Sequence, residues 1–387
     1  MITTSRLHTI LYWFILLQCC IISISVAAAS VLLVFTLVIM LILVVQHRKW
    51  PFHRTPLDVA FLAYIAIEFV TAFLSVEPLE ALKNTKRLLL IVIVYAVATT
   101  FTTRERIIVA MRCIAVVIGF LSLVEIFFYY QNGGGRLHLF QHYMTTGGLK
   151  MIVGLLLVPF FLSSGIAKND RGLFFSSFVA IILALVLTNT RSAWLGFLVG
   201  VIAISALQYR KMLFVLAGLI LVFFLVAPEQ QIDRAKSIVD LSHPNNIGRV
   251  KMWTTGLEMW KDKPMFGFGD IDLYASYSRY RTPDIDEPAG HLHNTFIHLL
   301  VTLGTVGFAI VAFLFYKILQ MEYDTFKRHQ HDDIARSMSL GALAVFTGFL
   351  MNGMFEWNFG DHEIMVFIWL TVGLSLAVNN FSSTQST

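Results

Sequence analysis

The chain has 387 residues, of which 57% are hydrophobic and only 14% charged, against about 25% charged in an average soluble domain. The deficit is gathered into long apolar runs, which excludes a water-soluble globule. A net charge of +5 with no block of consecutive basic residues argues against nucleic acid as a partner, and three cysteines, all in apolar runs, exclude a disulfide framework or a thiolate metal centre.

The run 10–45 carries no charge. As one helix it would be roughly 54 Å long, against a hydrocarbon core of about 30 Å. It must fold back, and Ala27-Ala28-Ala29-Ser30 is the expected turn. Polar chain should follow a cleaved signal peptide; here a second apolar stretch follows at once, which predicts an uncleaved hairpin. Apolar runs predict helices at 10–27, 30–46, 57–75, 88–101, 107–130, 149–166, 173–189, 192–207, 212–227, 295–320, 337–355 and 362–379. The fold class is therefore an all-α polytopic membrane protein with about twelve transmembrane helices and one large loop between the ninth and tenth. The chain divides into 1–227 (helices one to nine), the loop 228–292, and 293–387 (helices ten to twelve and the C-terminus). Within the loop, 231–241 is weakly amphipathic and Pro244-Asn245-Asn246-Ile247-Gly248 breaks it. A helix follows in which Val250, Trp253, Leu257 and Trp260 form one apolar face. Pro264 ends it, Gly267-Phe268-Gly269 turns, and 282–290 is an extended loop.

Lys and Arg in short loops set orientation. With the N-terminus in the cytoplasm, fourteen basic residues fall on the inner side, among them Arg48, Lys49 and Arg54. The short outer loops hold six: Lys83, Lys86, Arg87, Arg136, Lys150 and Arg191. Both termini are thus expected in the cytoplasm and 228–292 outside.

Three outward positions are candidates for chemistry. Arg191 sits between two apolar helices that almost touch in sequence, where a charge meets head groups or points into a cavity. Arg249 opens the loop helix, where the positive end of the macrodipole disfavours it; the bland alternative is a solvated surface residue. His293 lies at the start of helix 295–320, where the same dipole favours the neutral imidazole that accepts a proton, although a cap would also explain it. His291 and His293 with a third ligand would make a metal site, and Asp270-Ile271-Asp272 or Asp284-Ile285-Asp286 could hold a divalent ion; the expectation is no metal and no cofactor. Glu68 lies inside an apolar helix and is either functional or a packing partner. Arg112 can snorkel, Glu125 sits near an outer helix end, and solvation accounts for Glu356 and Asp361.

His293-Asn294, nine residues, then Gly304-Thr305-Val306-Gly307-Phe308 resembles the signature of the O-antigen ligase family, which shares a superfamily with O-antigen polymerases. Arg249 to Gly269, with Trp253, Trp260, Pro264 and Gly267-Phe268-Gly269, is similar to that family's large periplasmic loop, and Arg191-Ser192-Ala193-Trp194-Leu195-Gly196 to its Arg-Ser-x-Trp-x-Gly element. The resemblance implies a GT-C-like enzyme of the bacterial inner membrane with a periplasmic active site. It implies His293 as the catalytic residue and Arg191 and Arg249 as contacts to a lipid-linked pyrophosphate; Asn294, beside His293, and Lys83 and Arg87, in the outer loop before helix 88–101, are further substrate-binding candidates by position. The implied reaction is metal-independent, inverting transfer of a glycan from undecaprenyl pyrophosphate to a sugar hydroxyl of lipid A–core. A polymerase of the same superfamily is the near alternative. A lipid-glycan transporter is the distant one; it would be expected to carry polar groups at the membrane midplane, where Glu68 alone is clearly central.

Overall fold

A computed structural model describes residues 4–47, 54–282, 289–379 and 381. The described chain is helical throughout, without strands. In order it forms α1 (Thr4–Ile21), α2 (Val26–His47), α3 (Asp58–Phe73), α4 (Pro78–Asn84), a 3₁₀ segment (Thr85–Ile91), α5 (Val92–Thr100), α6 (Arg104–Gln131), α7 (Tyr143–Leu162) and α8 (Lys168–Leu187). There follow α9 (Arg191–Leu207), α10 (Met212–Val226), α11 (Glu229–Lys236), α12 (Pro244–Asp262), α13 (Tyr274–Tyr280), α14 (Thr295–Arg328), α15 (Asp333–Gly353) and α16 (His362–Asn379). Among the described residues seven helices are long and apolar enough to cross a membrane: α2, α6, α7, α8, α14, α15 and α16. α9 and α10 are shorter apolar helices.

Every apolar run predicted from sequence is helical, with shifted ends. The first turn falls at residues 22–25, not at Ala27–Ser30, because the Ser25 hydroxyl accepts from Ala28 N and caps α2. The alanines, strong helix formers, then belong to its first turns. The short helix predicted at 88–101 is a 3₁₀ segment continued by α5. The two together cover roughly 28 Å, about the thickness of a bilayer core. Lys150 is no loop residue: it lies inside α7, buried, with Nζ 2.7 Å from Glu125 of α6, so it leaves the outer charge count. Arg48 and Lys49 fall outside the described residues. Arg112 holds Asp170 of α8 through two bonds of 2.7 and 2.9 Å.

Small residues let α9 approach α15. A Cβ at Gly196 would come within 2.6 Å of the Gly348 carbonyl, and one at Gly200 within 2.8 Å of the Ala344 carbonyl. α10, by contrast, buries no side chain.

The segment after α9 does not stand apart from the bundle. Met259, Phe268, Ile271, Leu273, Tyr277 and Leu292 share one apolar core with Ala72 of α3, Ala81 of α4 and Val301 of α14. α12 begins at Pro244, capped by the His243 side chain, so the predicted break at 244–248 is its first turn and Arg249 stands in its second. Its buried face is Thr255, Gly256 and Met259; Val250 and Leu257, expected inside, are exposed. The cause is Gly256, whose missing side chain admits Leu292 and Ile297.

α14 breaks at Gly304 (φ 68°, ψ −175°). The chain after α12 inserts there. Thr305 N donates to Pro264 O at 2.7 Å and Val306 N to Met265 O at 3.2 Å, while Phe268 N reaches Val301 O at 3.0 Å and Gly269 N reaches Thr302 O at 2.8 Å. Backbone groups freed by the break are thus satisfied, as a span in hydrocarbon requires. Trp260 Nε1 donates to Thr305 Oγ1 at 3.1 Å and tightens the same joint.

Candidate active site

His293 is fixed by what surrounds it in sequence. Asn294 caps α14, its side chain accepting from Ile297 N at 3.0 Å and donating to Met354 O at 2.9 Å. Thr295 Oγ1 contacts Glu356 O and Asn358 Oδ1, both at 2.9 Å. Trp253 Nε1 donates to Leu292 O at 3.1 Å, tying α12 to the residue just before the histidine. His293 itself has φ 44°, a left-handed conformation that costs a non-glycine residue on the order of 1 kcal/mol or more. That geometry turns its ring back onto the loop between α15 and α16, with Nδ1 2.9 Å from Glu356 Oε1.

Sequence reasoning left Glu356 to solvent, and the structure corrects this: its side chain is only 13% exposed. His291 Nε2 lies 3.7 Å from Oε1, and Arg249 Nη2 lies 4.0 Å from Oε2. Burial alone would raise the Glu356 pKa. Hydrogen bonds from His291 and His293 and the charges of His293 and Arg249 outweigh it and hold the carboxyl well below the usual range. An ionised carboxylate can only accept, so His293 Nδ1 must donate, and the neutral ring keeps its lone pair on Nε2.

Around this pair stand cations. Arg191 begins α9, buried, with Nη1 bonded to Ser237 O at 2.6 Å and Oγ at 3.1 Å. Arg136 lies 4.1 Å over the Tyr143 ring. Arg234 donates Nε to Asn189 O at 3.0 Å, and burial together with the charges of Arg136, Arg191 and Arg249 pushes its guanidinium down to about 10. His142, the cap of α7, is lowered by burial, with Glu356 opposing and His138, Arg136 and His293 reinforcing. The structure thus brings His293, Arg249 and Arg191 together and adds Glu356, Arg136, Arg234 and His142. No spacing rule could connect Glu356 to a histidine 63 positions away; its one sequence signal is an acid set between Phe355 and Trp357.

Other sequence candidates are held by the protein itself or lie on its surface. Both ends of the Asn294 amide are used in capping and bracing. Arg87 is neutralised by Glu68 at 2.5 Å and Asp270 at 3.0 Å, which makes Glu68 a packing partner. Burial pushes the Asp270 carboxyl up to about 6 even against Arg87. Lys83 is exposed on α4 and lines neither of the two large cavities. Asp270 is thus taken by Arg87, and Asp272 accepts from Tyr274 N; Asp284 and Asp286 lie outside the described residues. Among the described residues the group with metal-ligand spacing is His291, His293 and Glu356, whose donor atoms fall within 4.8 Å of one another. Trp194 donates to Leu185 O at 3.0 Å and closes the α8–α9 joint.

A cavity of about 850 Å³ adjoins the site, lined by Val26, Leu33 and Leu37 of α2 together with Lys86, His291 and Trp357. It joins apolar and polar surface in one space.

Seven helices of membrane-crossing length around one shared core define a polytopic membrane protein. Residues 176–312 match the family model for O-antigen ligase. The matched stretch runs from α8 to just past the Gly304 break. It holds Arg191, Arg234, Arg249, His291 and His293 and ends before Glu356. A search among curated proteins finds no match.

Proposed function

We propose that the protein is an O-antigen ligase: it transfers a glycan from undecaprenyl pyrophosphate to a sugar hydroxyl of lipid A–core at the periplasmic face of the bacterial inner membrane. The observation that carries this reading is the single Glu356 carboxylate, approached by His293 from one oxygen and by Arg249 from the other, with Arg191 close enough to feel the charge of Arg249. A proton acceptor thus adjoins a pair of anion-binding groups. Twelve spans with both termini cytoplasmic would set this cluster on the outer side.

In the proposed step His293 Nε2 takes the proton of the acceptor hydroxyl as its oxygen attacks the anomeric carbon. The new carbon–oxygen bond forms as the bond to the pyrophosphate oxygen breaks, and the electron pair leaves with undecaprenyl pyrophosphate. Arg191 and Arg249 hold the charge that grows on the leaving group. Attack opposite the leaving group inverts the anomeric centre. The mixed apolar and polar cavity beside His291 suits a substrate that is part lipid and part glycan.

Two tests belong here. Arg249→Lys keeps the charge but loses the planar fork; it is expected to lower kcat/KM by about 10- to 100-fold, the worth of one charge-assisted hydrogen bond. Wild-type rates in that variant would remove Arg249 from the pyrophosphate site. Transfer is also expected to continue in EDTA, since guanidinium groups carry the charge. Activity lost to the chelator and restored by an added ion would shift the mechanism to metal binding at His291, His293 and Glu356. In cells, deletion of the gene separates ligase from polymerase: ligase loss leaves bare lipid A–core, whereas polymerase loss leaves core with one repeat unit.

A further inference from the structure

The site holds more positive charge than the proposed donor requires. A pyrophosphate diester carries two negative charges, which Arg191 and Arg249 match. Arg136 and Arg234 are left over, and neither has a carboxylate within salt-bridge distance among the described residues. Two acids near Arg234 in sequence are engaged elsewhere: Asp233 lies 3.7 Å from Lys236, and Asp240 accepts from Ser242.

These two arginines are not loose surface groups. Asn189, at φ 53°, organises both. Its Nδ2 donates to Gly135 O at 2.9 Å, and its backbone O accepts from Arg234 Nε at 3.0 Å. Gln230 of α11 donates to the same Gly135 oxygen at 3.2 Å, and Leu137 N donates to Leu187 O at 2.9 Å. Arg136 is therefore gripped by the backbone on either side, and its guanidinium rests on the Tyr143 ring. Arg234 spends Nε on the protein and keeps both terminal nitrogens free to donate. Holding like charges together is unfavourable unless an anion joins them, and the charges of Arg136, Arg191 and Arg249 all bear on Arg234.

We propose that Arg136 and Arg234 form a second anion subsite, beside the pyrophosphate site, that takes a phosphate or carboxylate carried on a sugar of one of the two substrates. This rests on the transfer reaction proposed above. Both anions fit the same fork of donors, so the source is an outcome of the test. The purified full chain would be given a lipid-pyrophosphate donor with a neutral or a uronic-acid glycan, and phosphorylated or dephosphorylated lipid A–core. Wild type is expected to show a KM about tenfold lower for the anionic form of one substrate than for its neutral form, the worth of one charge-assisted hydrogen bond. The Arg136→Gln/Arg234→Gln double variant should lose that preference, with KM and kcat for the neutral forms within about twofold of wild type. Arg234→Lys, which keeps the charge, should recover part of the preference. A preference in the donor arm assigns a sugar carboxylate; one in the acceptor arm assigns a phosphate. If the double variant weakens neutral and anionic substrates alike, all four arginines serve the pyrophosphate and the proposal falls. If it changes neither, the proposal also falls. Should wild type transfer nothing, the ligase reading fails on its own; equilibrium binding of phosphorylated against dephosphorylated lipid A–core, and of the uronic-acid against the neutral donor, to wild type and double variant then decides the subsite by the same loss of preference.

Discussion

Replacing His293 with alanine is expected to abolish glycan transfer while the protein still inserts and still binds the lipid-linked donor. Loss of a positioned general base lowers kcat by roughly 10²- to 10⁴-fold. The donor KM should move little, since Arg191 and Arg249 are untouched and Asn294 still caps α14. Glu356→Gln should fall between this variant and wild type. An amide loses the charge that forces Nδ1 to donate, so the ring tautomer with Nε2 free is no longer fixed. The sign of its stability effect follows from the depressed Glu356 pKa. A carboxyl held below its unfolded value of about 4.3 contributes stability present above that pH and lost as pH falls through the folded value. Wild type should therefore exceed the variant in thermal stability at neutral pH, with the gap closing only in strong acid. Transfer near the wild-type rate by His293→Ala would remove the base from the mechanism.

Gly304→Ala is expected to be nearly as damaging, through the fold. A Cβ there would sit 2.3 Å from the Met265 carbonyl carbon and oxygen, backbone atoms that cannot step aside, and the residue would have to hold φ 68°. Either the insertion of 264–269 is expelled or α14 distorts. Expulsion leaves the Val301 and Thr302 carbonyls without the partners they have now, at several kcal/mol per group in hydrocarbon. The measurement is the yield and melting temperature of detergent-solubilised protein, both expected to drop sharply. Gly248→Ala is the control. Nothing lies within 4 Å of a Cβ at that position in α12, and alanine in a helix should stabilise by up to about 1 kcal/mol. Equal melting temperatures for the Gly304 variant and wild type would contradict the interlocked geometry.

The sequence made the apolar helices readable because a span in lipid must be continuous and uncharged, and hydropathy reports that directly. Ends were less readable. Ser25 moves the first turn by a local cap, and Thr85–Ile91 runs as a 3₁₀ segment that no periodicity announces. His293, Arg191 and Arg249 could be singled out because each conflicts with its local setting: a charge at a tight helix junction, or a residue at odds with a helix dipole. The Arg249 conflict proved to rest on a misplaced helix start, yet the residue still reaches Glu356. Glu356, Arg136 and Arg234 could not be found that way. Each is ordinary in its own loop or short helix and becomes informative only through long-range contacts, such as Asn189 gathering Gly135 and Arg234. Gly267 read as a turn residue and Gly304 as part of a motif, whereas their role is mutual: one chain breaks so that the other can enter.

The most direct test is transfer by the purified chain in detergent, with a defined undecaprenyl-pyrophosphate glycan and lipid A–core. The account predicts that the glycan moves to the acceptor with inverted anomeric configuration, releasing one undecaprenyl pyrophosphate per glycan. Retained configuration, or bound substrates with no transfer, would contradict it.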